Sequence, residues 1–145
     1  LAIIAVTVDN FNLGVFSLGC VFLTVLSYYL KPENEYFVWS YSFIPAKFLF
    51  AKIKIGLMFS FYLCLPILIL LSIFYFEHLI VLLLCTLLGF LYVSTFILAK
   101  YSAYPKEMDF SQGIIFAIGL FPPMLIVVIP FFTSQSINKL RKFLK

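Results

Sequence analysis

Charge is what this sequence has least of. Asp, Glu, Lys and Arg make up 11% of its 145 residues, ten basic side chains against six acidic ones. A soluble domain of this size carries about a quarter charged residues to cover its surface, so a soluble enzyme, a nucleic-acid-binding module and a disordered tail are excluded. Histidine occurs once and cysteine three times, at Cys20, Cys64 and Cys85. No CxxC or Cys/His cluster joins them, which removes a disulfide scaffold, a zinc site and a redox pair and leaves three small buried hydrophobes. GxxxxGK[ST], GxGxxG and HExxH are all missing from the sequence, so no catalytic residue, cofactor or metal ligand is expected, and nucleotide chemistry would have to come from a partner.

What is present is hydrocarbon. Hydrophobic residues make up 64% of the chain and aromatic ones 20%, with nineteen Phe and nine Tyr, and the mean hydropathy is +1.14. The outer surface of such a chain prefers lipid to water, so the lipid bilayer is its first partner. The net charge of +4 then reads as Lys and Arg at the membrane surface rather than as a nucleic-acid groove. The chain starts at Leu1 with no Met and no basic run before the apolar residues. It therefore reads as a fragment without a visible signal peptide.

Charge-free runs divide the sequence into segments that fit the roughly 30 Å hydrocarbon slab at 1.5 Å rise per residue. The expected fold is all-α, a single integral membrane domain over 1–145 and a transmembrane helical bundle of about four segments, at about 10–30, 55–76, 79–99 and 111–133. Runs such as LPILILLSIFYF and LIVLLLCTLLGFLYV lack the alternation of a barrel strand. Between the first two segments, Trp39 and Tyr41 suit the headgroup level, and Pro45 can open a helix bearing Lys47, Lys52 and Lys54. This predicts a short interfacial amphipathic helix at about 36–52, on the cytoplasmic side by its lysines. Glu77 and His78 alone separate the next two segments, which therefore form an antiparallel hairpin with an external tip.

The fourth run is expected to make one kinked crossing, with re-entry or an interfacial helix as the alternative. One kinked crossing leaves Lys139, Arg141, Lys142 and Lys145 outside, against the positive-inside tendency; a re-entrant path turning near Pro122 and Pro123 keeps them inside, in two halves of about ten residues each. The prolines break regular helix on either path.

Other polar residues favour ordinary roles. His78 beside Glu77 reads as a polar loop tip rather than a titrating gate. Asp9 reads as interfacial rather than as a charge inside the slab. Gly113 and Ala117 form a small-xxx-small pair, a weak packing signal, and Thr86, Ser94 and Thr95 read as packing hydroxyls rather than a transport path.

The stretch YYLKPENEYFVWSYSFIPAKFLFAKIKIGLMFSFYLCLPILIL resembles the middle of the permease (transmembrane) subunit of an exporter-type ABC transporter. Ile44, Pro45, Ala46 and Lys47, followed by Lys52 or Lys54, match the family's short connection between two spans. Tyr104 and Pro105, and Phe121 to Pro123, are similar to its later part. The segments would correspond to the second to fifth of its six spans. The resemblance implies an integral protein of a bacterial inner membrane that binds no ATP. Such a chain would work as a homo- or hetero-oligomer and dock an ATP-binding-cassette ATPase subunit through Phe37, Trp39, Ile44, Pro45 and Lys47. The reading from another class is a non-catalytic structural or assembly membrane protein.

Overall fold

The protein is described by a computed structural model at residues 1–31, 33, 34, 36, 38, 44–106 and 108–142. Its elements are helical: α1 (Ala2–Thr7), α2 (Phe11–Tyr28), α3 (Pro45–Phe74), α4 (Leu79–Ala103), α5 (Phe110–Gly119) and α6 (Leu125–Leu140), with 3-10 turns at Phe76–His78 and Pro122–Met124. No strand occurs among the described residues. Three of the helices are long and apolar enough to cross a membrane. The chain is a polytopic all-α membrane protein, as its composition leads one to expect.

Local sequence sets the helix ends. Asp9 takes a left-handed backbone with φ of 49°, a conformation Asp and Asn tolerate better than other side-chain-bearing residues, and so separates α1 from α2. Asn10 then caps α2, its side-chain oxygen accepting from the Leu13 N–H at 3.1 Å. Pro45 opens α3 at the position where a missing N–H costs nothing. Asp109 and Gln112 form a reciprocal capping box at the start of α5.

α3 is one continuous helix of 30 residues, about 45 Å at 1.5 Å per residue. Its last twenty residues alone match the slab, so the first turns, with Lys47, Lys52 and Lys54, extend beyond it. From Pro45 onward, the residues expected in the interfacial helix are the beginning of this long helix and run directly into the second span; the part of that expectation before Ile44 falls largely outside the described residues.

α4 is the central element. Nearly every residue from Val93 to Tyr104 is buried, whereas most of its first half is exposed or half-buried. The cause is the path of α5 and α6, which are bent by 115° relative to one another. Phe116 of α5 packs edge-on against Phe96 at 5.3 Å, and the Tyr92 hydroxyl donates to the Leu120 carbonyl at 2.6 Å. α5 therefore runs antiparallel to α4 and ends beside its middle. From there α6 runs parallel to α4, and Ser136 donates to the Leu98 carbonyl at 2.7 Å. Phe132 and Leu140 are fully buried in that contact face.

The hydroxyls inside the helices serve their own backbones. Ser17, Ser60, Thr86, Ser94, Thr95 and Ser102 each donate to a carbonyl three or four residues earlier. Apart from the Ser136 and Tyr92 bonds, contact between these helices rests mainly on shape, and close approach falls to glycine. A Cβ on Gly89 would sit 2.3 Å from the Phe22 ring, and one on Gly56 would meet the Ile97 side chain at 2.5 Å. Phe22 is buried and packs edge-on against Phe90 at 5.6 Å, so making space for a Cβ would break that ring contact. Gly89→Ala is expected to destabilise the bundle by about 1–3 kcal/mol, measured by unfolding in mixed dodecyl sulfate micelles. A change under about 0.5 kcal/mol, the usual size for an indifferent site, contradicts the close α2–α4 contact.

Candidate functional site at the basic end

The described elements turn over at two ends of the bundle with opposite electrostatics. α2 ends, α3 begins and α4 ends at one of them, and among the described residues every Lys and Arg lies there. The other end carries Asp9, Glu77 and His78. Sequence spacing predicts lysines at the first end, but not what they do, because the partners come from three separate segments.

Glu33, just after α2, is the hub. The Lys52 ammonium of α3 donates to its Oε1 at 3.0 Å and lies 2.9 Å from Oε2. The Lys100 ammonium of α4 stands 4.0 Å from Oε1, with its side chain 8% exposed. Aromatic rings supply the remaining contacts. Lys100 lies 5.4 Å from the Tyr29 ring centroid and 5.6 Å from that of Tyr101, and Lys52 lies 5.5 Å from that of Phe48. Such ring faces stabilise an ammonium held away from water. The Tyr101 hydroxyl is buried close to the Glu33 charge yet short of full hydrogen-bonding geometry. One carboxylate thus serves two ammonium groups, and the cluster joins the end of α2 to both α3 and α4.

The residues implied to dock a partner are placed beside this cluster. Ile44 is 62% exposed at the start of α3, Pro45 is its first residue and Lys47 is exposed two residues further on. Phe37 and Trp39 lie outside the described residues. At the other end, His78 packs edge-on against Phe11 at 4.5 Å. The Tyr75 hydroxyl donates to the Ala5 carbonyl at 2.9 Å beside Asp9. The 3-10 turn and these contacts hold the tip against α1 and the start of α2.

Remaining candidates resolve into packing. Cys64 is buried, while Cys20 and Cys85 line one apolar groove of about 440 Å³ between α2 and α4, floored by Leu120. No group of three His, Cys, Asp or Glu able to hold a metal occurs among the described residues. Thr86, Ser94 and Thr95 bond to their own helix, as above. Gly113 meets nothing within 4 Å of where a Cβ would lie, so the small-xxx-small pair makes no close contact there. The chain matches no protein-family model, no curated protein and no solved structure.

Loss of the hub charge leaves two ammonium groups facing one another at a partly dry site, where an unpaired charge is far costlier than an unmade pair. Glu33→Gln is expected to cost on the order of 2 kcal/mol after allowance for partial exposure. Adding Lys100→Met should recover part of that loss, a coupling read from a double-mutant cycle of unfolding in mixed micelles. Additive effects of the two changes contradict a shared cluster.

Proposed function

We propose that the chain is the permease subunit of an ATP-driven exporter, embedded in a bacterial inner membrane and working as an oligomer with an ATP-binding-cassette ATPase. The reading starts from the resemblance carried by Ile44, Pro45, Ala46 and Lys47. The observation that supports it best is the continuity of α3. The exposed docking residues head a 30-residue helix that continues past its internal Pro66 and whose far end reaches the opposite face, so a push on Lys47 is carried along one element, with Pro66, which lacks an N–H, as its one built-in bend point. Glu33 adds a second connection, since through Lys52 and Lys100 it links the segment after α2 to α3 and α4. ATP hydrolysis in the partner would tilt these helices together and alternate the side to which the substrate path opens.

A structural or assembly subunit is the competing function, and one observation favours it. The groove between α2 and α4 is lined almost wholly by apolar side chains, and the hydroxyls of Thr86, Ser94 and Thr95 are committed to their own helix. A polar substrate would then need a path formed between subunits.

Purification of the full-length protein from native membranes in mild detergent, with mass spectrometry of what accompanies it, separates the two. The exporter reading expects an ATP-binding-cassette subunit at near-stoichiometric yield. Lys47→Glu, an exposed change that leaves packing intact, is expected to reduce that yield at least tenfold. Absence of any such ATPase from the wild-type preparation removes the exporter reading.

A further inference from the structure

We propose that α5 and α6 form a re-entrant hairpin that enters the membrane from the basic end, turns at mid-depth and returns. The chain then crosses three times after α1, and its C-terminal basic residues join those of α3 and α4 on one surface that contacts anionic lipid headgroups. The inference does not depend on the exporter reading.

Three independent features place the turn in hydrocarbon and the ends together. Direction comes first. Phe116 meets Phe96 and Leu120 meets Tyr92, while Ser136 meets Leu98, so the path goes inward along α4 and then back outward. Tyr92 is eleven residues from the end of α4, about 17 Å of helix and roughly half the slab.

Backbone satisfaction comes second. A chain may turn inside the slab only where its N–H and C=O groups find partners. Leu120 N–H donates to Ala117, Phe121 N–H to Ile118 and Met124 N–H to Phe121 at 3.1, 3.2 and 2.9 Å. Pro122 and Pro123, the two residues in between, have no N–H to orphan. The Leu120 carbonyl, released by the break, accepts from Tyr92.

Surface character comes third. Ile118, Leu120, Phe121, Ile126 and Val127 are all more than half exposed, a face fit for acyl chains and unfit for water. Lys139, Arg141 and Lys142 are exposed at the outer end of α6, as Lys47, Lys54 and Lys106 are on or after α3 and α4. The opposite end, with Asp9 and Glu77, offers headgroup phosphates no comparable attraction. Positive charge gathered in one plane at the rim of an apolar bundle is complementary to an anionic leaflet.

Single cysteines read by a membrane-impermeant maleimide in sealed vesicles of known orientation test the path. Lys47→Cys and Glu77→Cys mark the two faces, and the wild-type chain, whose own cysteines lie along the apolar helices, sets the blank. Lys142→Cys, with Asn138→Cys as a second position should the first impair folding, is expected to label from the same face as Lys47→Cys. Labelling from the face of Glu77→Cys overturns the hairpin. The lipid contact is read separately by native mass spectrometry of the protein from mixed phosphatidylglycerol and phosphatidylcholine micelles. Replacing Lys139, Arg141 and Lys142 together by Gln is expected to lower phosphatidylglycerol retention at least fivefold, given roughly that factor per basic residue near an anionic surface. Unchanged retention overturns the lipid-binding surface.

Discussion

A backbone amide in hydrocarbon has no water to fall back on, and the architecture follows from that single demand. It selects helix over every open alternative and makes Ser and Thr return their protons to the preceding turn. It also governs where the chain bends. The break between α5 and α6 falls on two prolines, which remove donors, and under Tyr92, which supplies one. A break two turns earlier or later would expose amide groups without such provision.

Against that apolar background the Glu33 cluster is the costly feature. Lys100 is nearly excluded from solvent, and its compensation is shared between one carboxylate and two aromatic faces. A Met or Leu at that position would pack without any of these partners, so charge there contributes specificity of position more than net stability. It fixes the segment after α2 against α3 and α4 at the end where the implied docking residues emerge.

The sequence made the helical class legible through its charge-free runs, and the tip at Glu77 and His78 through their brevity. It located the proline break but left its direction open, because Pro122 and Pro123 interrupt a helix equally well in a kink and in a reversal. The contacts that argue for a reversal involve Phe96, Tyr92 and Leu98, residues that hydropathy treats as ordinary apolar content. The hub was hidden for a related reason: Glu33, Lys52 and Lys100 are far apart in the chain, and no spacing rule connects them. Gly89 likewise carries no signal of its contact, since the ring it admits belongs to Phe22 on another helix. The docking residues rest on a local motif alone, and Ile44, Pro45 and Lys47 are placed while Phe37 and Trp39 are outside the described part.

The half-length of the α5–α6 pair also gives the molecule an uneven outline. At the level of Lys100 its cross-section contains five helices, whereas at the level of Leu82 it contains α2, α3 and α4, with the six-residue α1 near the rim. With the α5–α6 pair re-entrant as proposed, such a body is a wedge, broader in the leaflet that meets the lysines. Packed side by side, copies would spread that leaflet more than the other and settle where it forms the convex side of a curved membrane.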